Sequence, residues 1–151
     1  MLDDSEKRIL NELQRDGRLS NVDLARKVGL SDSPCLRRVK QLEQTGIIDR
    51  YAALLDTRKA GFDVVAYIQV NLDQRTEAMT RAFHEAVMNE PAITECHALS
   101  GSYDYFIKVV ARDFDEYSDF AMKRLLRFPG VKDITSGFVM ETVKSNGALP
   151  L

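Results

Sequence analysis

The stretch that most constrains this chain runs from Asn21 to Gly46, NVDLARKVGLSDSPCLRRVKQLEQTG. It predicts two short helices joined by a tight turn. Val22, Leu24, Ala25 and Val28 form the apolar side of the first helix, and Gly29, which tolerates a left-handed backbone, stops it. For the second, Ser33 is the expected cap and Pro34 the expected first helical residue, where a missing N–H costs nothing. Cys35, Leu36, Val39 and Leu42 then recur at the three-and-four spacing of a buried stripe. Centring that stripe on Val39, at about 100° per residue, puts Arg37, Gln41 and Gln44 on the opposite face, with Arg38 and Lys40 at its flanks.

Small aliphatics on one side and Arg, Lys and Gln on the other is the layout of a helix laid in a DNA major groove. Arg forks onto guanine, Gln onto adenine, and Lys and Ser onto phosphates. A solvated amphipathic helix explains the same pattern in isolation. Two features favour DNA: a second short helix immediately precedes it at helix-turn-helix spacing, and the positive charge is local. From Arg26 to Arg50 six basic residues (Arg26, Lys27, Arg37, Arg38, Lys40, Arg50) stand against three acidic ones (Asp32, Glu43, Asp49), +3 within a chain of net charge −2. The candidate DNA contacts are Lys27, Ser31, Ser33, Arg37, Arg38, Lys40 and Gln41.

At 151 residues the chain can make one ordinary domain or two small ones. A hydrophobic content of 44% is enough for packed cores, and 29% charged residues fits a cytoplasmic protein. No apolar run approaches the ~20 residues that span a bilayer, and the acidic start MLDDSEKRIL lacks the layout of a signal peptide. Cys35 and Cys96, far apart, are expected as small buried thiols in a reducing compartment. Neither His84 nor His97 has metal-ligand spacing to an acid or thiol, so no metal site is expected. No nucleophile or phosphate-loop motif is present, which argues against an enzyme and leaves no catalytic residue to name.

In chain order, residues 3–16 predict a first helix capped by Asp4 or Ser5, with Ile9, Leu10 and Leu13 inward and Gly17 at its end. Ser20 or Asn21 caps the next helix. Residues 1–50 thus form a three-helix unit, followed by an extended linker strand over 51–61 with the boundary in the polar Asp56–Gly61 segment. Beyond it come a strand Val64–Leu72, a helix Glu77–Asn89 with Met79, Phe83 and Val87 inward, and strands Ile93–Leu99 and Tyr105–Val110. A helix Phe114–Phe128, with Tyr117, Phe120, Ala121, Leu125 and Phe128 inward, leads to a last strand Ile134–Val143. The order βαββαβ over 62–151 predicts a ferredoxin-like antiparallel sheet with both helices on one face. Apolar residues point both ways along VVAYIQV and YFIKVV, so the open face is expected to pack against a second copy.

SDSPCLRRVKQLEQTGII followed by DRYAALLD, together with the glycine-centred turn Gly101-Ser102-Tyr103-Asp104-Tyr105, resembles the Lrp/AsnC (feast/famine, leucine-responsive-type) family of transcriptional regulators. The resemblance runs from Leu2 to the closing Leu149-Pro150-Leu151, and departs at Ser145-Asn146-Gly147, where a threonine-containing segment is expected. It implies an α+β chain with a winged-type helix-turn-helix and a sensor (RAM) domain. It further implies a homodimer assembling to higher oligomers such as an octamer on promoter pseudopalindromes, with recognition helices about 34 Å apart. An amino-acid effector, and no other cofactor, would bind between dimers near that turn, with Ser100, Gly101, Ser102, Tyr103, Asp104, Thr135 and Ser136 as the carried-over candidates. Physically, turn amides freed by Gly101 can hold a carboxylate and Asp104 an ammonium. The alternative is a hairpin glycine with Asp104 as its cap. An architectural DNA binder without ligand response stays open too; melting the protein with each amino acid separates it from a sensor.

Overall fold

The computed structural model describes residues 2–145 and 147–151; Asn146, in the departing tail segment, lies outside them. The chain divides into two compact units, Met1–Leu54 with Val143–Leu151, and Leu55–Thr142. The tail from Val143 therefore groups with the helices, and the sheet unit is shorter than the span 62–151.

In the first unit α1 (Asp4–Arg15), α2 (Asn21–Val28) and α3 (Asp32–Gln44) bury one another, with no strand among the described residues. The cap of α1 is Asp3, one residue before those expected from sequence. Its carboxylate accepts the Glu6 amide while the Glu6 carboxylate accepts the Asp3 amide, each at 2.8 Å, a reciprocal capping box. Ser20 caps α2, and Gly29 ends it at φ 70. Ile9, Leu10, Leu24, Ala25, Val28, Cys35 and Leu42 form the core. The start of α3 differs from expectation: Ser31 is the N-cap, so Pro34 sits third in the first turn, where its missing N–H is still one the helix leaves unpaired. Leu36, expected inward, is 42% exposed.

Among the described residues, 51–56 pair with no strand, so the expected linker strand is an unpaired segment. It begins by folding back on the helices: Tyr51 donates its hydroxyl to Glu43 at 2.9 Å, and its ring lies over Gly17.

The second unit follows the predicted βαββαβ order. β1 (Val64–Leu72) is central, flanked by β3 (Tyr105–Ala111) and β4 (Val131–Phe138), with β2 (Ile93–Ala98) outside β3, all antiparallel. β4 starts and stops earlier than expected. Gly130, at φ 75, turns the chain directly into it, and its pairing ends near Phe138 because its partner β1 begins at Val64. One sheet face, built on Val64, Ala66, Ile68, Val70, Ile107 and Val109, packs on α4 (Glu77–Met88) and α5 (Phe114–Asp119). α5 runs on into a π-helical turn (Phe120–Arg124) and a tighter turn (Leu125–Arg127). Tyr117, Phe120, Ala121 and Leu125 are buried as expected.

Within that wide turn Arg124 crosses to buried Glu90 at the end of α4, with Nη1 2.9 Å from both carboxylate oxygens and the guanidinium over the Phe120 ring. Glu90→Ala is expected to destabilise the sheet unit by about 1–2 kcal/mol in chemical denaturation. That is below the cost of breaking a fully buried pair, because Arg124 is half-exposed and rehydrates. Tyr51 gives a second test. Burial first, and then the Glu43 carboxylate, push its phenol up to about 12. The contribution of this group to stability is complete below the ordinary phenol value and lost as pH rises through about 12. Absorbance titration reads it directly, and Tyr51→Phe should remove this group's share of the alkaline loss of stability, leaving a shallower fall of the melting temperature between those values.

Candidate DNA-reading helix and effector site

α3 is the candidate reading element. With Cys35 at the centre of its buried edge, a step of about 100° per residue places Ser33, Arg37, Lys40, Gln41 and Gln44 on the far side, and all five are exposed. Neither Arg37 nor Lys40 pairs with an acid among the described residues. Ser31 makes no side-chain cap, which leaves its hydroxyl free at the helix start. The turn between α2 and α3 is tied by Asn21, whose amide donates to the Asp32 carbonyl at 2.9 Å.

Two candidate cations are placed otherwise. Lys27 is exposed but sits 3.0 Å from Glu12 of α1. Arg38 lies about 60° from Cys35 on the core side of the helix wheel. It is only 30% exposed, and its Nη1 is 2.5 Å from Asp3 Oδ2. The sequence pattern set it beside the polar face; the structure turns it toward α1.

At the second candidate site, the loop Leu99–Asp104 joins β2 to β3 and is closed by the Leu99 amide on the Asp104 carbonyl at 3.0 Å. Gly101, at φ 146, adopts a conformation L side chains rarely take, and open space surrounds the position where a Cβ would stand. Ser100, Gly101 and Ser102 are exposed. Asp104 is 12% exposed and fully engaged. One oxygen accepts the Leu72 amide at 2.9 Å, the other meets Arg75 at 2.7 Å, and its own amide donates to Val70 at 3.0 Å. It fastens the loop to the end of β1, which fits the cap reading, with each carboxylate oxygen already holding one partner.

Arg75, which sequence reasoning missed, is 73% exposed beside it. Only proximity to a folded Asp104 marks it, and that pairing joins the β1–α4 loop to the β2–β3 loop, invisible to local spacing. Tyr103, Phe106 and Tyr67 form an aromatic row on the open sheet face, with Phe106 and Tyr67 stacked at 5.2 Å. Thr135 lies on that same face opposite Gln69, itself opposite Phe106. Ser136 does not join them. It faces the helices, where Tyr117 donates its hydroxyl to it.

An outward basic face on the second helix of a helix-turn-helix, joined to a sheet unit with a glycine-built turn, defines a DNA-binding regulator with a ligand-binding domain. Family models agree. Residues 65–149 match the Lrp/AsnC ligand binding domain, and residues 2–49 a winged helix-turn-helix DNA-binding domain. The chain is 40% identical over 148 residues to the leucine-responsive regulatory protein of Escherichia coli, covering 98% of this chain and 90% of that one. It is 36% identical over 151 residues to the transcriptional regulator AzlB of Bacillus subtilis, covering 100% and 96%. Among solved structures, a Neisseria meningitidis transcriptional regulator in complex with L-Met superposes with TM-score 0.95 at 39% identity, over 99% of this chain and 97% of that one. An AsnC family regulator from Agrobacterium tumefaciens does so with TM-score 0.92 at 36% identity, over 99% and 97%. The chain belongs to the Lrp/AsnC family of transcriptional regulators.

Because Asp104 fastens a strand end, Asp104→Ala should lower the stability of the sheet unit by about 1–3 kcal/mol, the cost of losing charge-assisted bonds to a half-buried amide. Urea denaturation followed by far-UV dichroism measures it; an unchanged midpoint would remove the clamp role.

Proposed function

We propose that this protein reads DNA sequence through α3 and that a small amino acid, bound where copies of the sheet unit meet, shifts its assembly and DNA binding. The observation that carries the first half is the outward row Ser33, Arg37, Lys40 and Gln41, exposed and, for the two cations, without acidic partners among the described residues. Arg37 and Gln41 supply base-edge contacts; Ser31, Ser33, Lys40 and, less directly, Lys27 supply phosphate contacts. A two-fold pair of such helices matches half-sites one helical turn apart in promoter pseudopalindromes. Dimers assemble further, up to an octamer, and the protein works beside the chromosome in the cytoplasm.

For the effector, the exposed amides around Gly101 and the exposed Arg75 guanidinium are the groups suited to a carboxylate. Gln69 lies one strand spacing from that end of β3, opposite Phe106, and Thr135 two spacings, roughly 10 Å, away. Thr135 is too far to join such a site within one copy and would complete it from a facing copy, which is why an interface location is favoured. The L-Met bound to the Neisseria relative supports an amino acid as the ligand class.

Fluorescence anisotropy with a duplex selected by the wild-type protein from a random pool tests the DNA half. Arg37→Ala should weaken binding by about 1–3 kcal/mol. The variant matching wild type while folded would take α3 out of the interface. A thermal-shift screen of the twenty amino acids tests the second half. At least one should raise the melting temperature of wild type, and Arg75→Ala should diminish that rise relative to the ligand-free melt of the variant, which loses the Asp104 pair. No response to any amino acid would leave a DNA binder without this sensor. The fragment 55–142 should scatter light as a dimer or larger, and a stable monomer at micromolar concentration would remove the shared interface.

A further inference from the structure

Basic residues of α3 are the proposed DNA contacts, but one of them is committed elsewhere. Arg38 Nη1 sits 2.5 Å from Asp3 Oδ2 and 3.9 Å from Glu6 Oε1, while Asp3 Oδ1 takes the Glu6 amide of the α1 capping box. The two Asp3 oxygens therefore act separately, one closing the start of α1 and the other holding α3. The Glu6 amide first, and then the Arg38 guanidinium, hold the Asp3 carboxyl below the ordinary carboxylate range, so the pair is fully ionised near neutral pH. Arg38 also lies between Cys35 and Leu42 along the helix, both fully buried. The ion pair and the core edge thus act on the same side of α3, across from Ser33, Arg37 and Lys40.

We infer that Arg38 is a positioning residue rather than a DNA contact: by joining α3 to the Asp3 cap of α1 it fixes the rotation at which α3 presents Arg37 and Lys40. The inference rests on the DNA reading of α3 and makes a prediction of opposite sign to simple electrostatics. If charge alone mattered, Asp3→Asn would strengthen DNA binding, because removing an anion near the helix raises the positive potential that phosphates meet. If Arg38 positions the helix, Asp3→Asn weakens it, as Arg38→Ala does. Asn remains a good cap, so Asp3→Asn keeps α1 closed while loosening the tie to α3.

The test uses the full chain and two probes, a duplex selected by wild type from a random pool and a mixed-sequence duplex, each titrated over a range of salt. Asp3→Asn and Arg38→Ala should each weaken binding to the selected duplex by roughly three- to tenfold. The double variant should be no weaker than the worse single one. Arg38→Ala should leave the salt slope at its wild-type value, whereas Arg37→Ala or Lys40→Ala lowers it by about one if that residue meets a phosphate. Arg38→Lys, which keeps the charge but not the fork, should recover part of the lost discrimination between the probes.

Tighter or unchanged binding by Asp3→Asn would overturn the inference, and so would a reduced slope for Arg38→Ala, which would return Arg38 to the phosphates. Wild type binding neither probe would overturn the DNA reading and this inference together, an outcome distinct from failure of the Asp3 arm alone. Circular-dichroism melts guard against misfolding. Should Arg38→Ala not fold, Asp3→Asn and Arg38→Lys carry the same contrast.

Discussion

The burial of one edge of α3 is the constraint on which the helical unit depends. Three short helices enclose a thin core, and Cys35 and Leu42 are its fully buried contribution from α3. With so little apolar surface to remove from water, burial of those two side chains narrows the rotations open to α3, and the Arg38 tie to Asp3 selects one among them. Everything outward follows from that rotation. Arg37, Lys40, Gln41 and Gln44 reach solvent because they stand opposite Cys35, and Arg38 reaches α1 because it does not.

This constraint explains how much of α3 was legible in the sequence. The helix, its position after α2, the Gly29 stop and the basic outer face all follow from residue types and spacing. The rotation was displaced because the stripe was centred on Val39, with Leu36 counted as core. Centred on Cys35 the wheel moves by about 40°, which exposes Leu36 and carries Arg38 inward. A small thiol is among the most buried residue types, so Cys35 carries the signal, but the larger apolar side chain of Leu36 masks it in a pattern read by hydrophobicity alone. The Asp3 cap was missed for a different reason. Asp3, Asp4 and Ser5 all cap well, and what selects Asp3 is its reciprocal partner Glu6 three residues on.

In the sheet unit the order of elements was legible because strand and helix periods alternate cleanly between turn residues. The ends of β4 were not, since a strand's length is set by its neighbour, and β1 begins only at Val64. The same distinction separates the effector candidates. Gly101 announces a turn by type, but the partner of Asp104 is decided by which strand end passes beneath it. Leu72 and Arg75 lie some thirty residues away in sequence, beyond any local pattern. Thr135 and Ser136 look equivalent as neighbours, yet strand alternation sends them to opposite faces, one toward Gln69 and the other toward Tyr117.

That alternation also bears on how sensing and assembly could share one surface. The open face carries Val65, Tyr67, Phe106 and Val110, none fully exposed, bordered by the Glu95–Lys108 pair at 2.9 Å. The Glu95 bond holds the Lys108 ammonium above its ordinary value, so the charge persists beside the aromatic row. A facing copy that covers the row must keep that pair hydrated or matched, which restricts the approaches open to it. Thr135 and Gln69 sit on the same face, and Tyr103 links the row to the Gly101 turn. Under the proposed assembly, a ligand at the turn would touch the same aromatic surface that a second copy would cover, and its binding energy and the association energy would be expressed through shared contacts. Linkage follows from that sharing. Any group whose contacts differ between the separate and assembled states shifts the equilibrium by its differential affinity, and by no more.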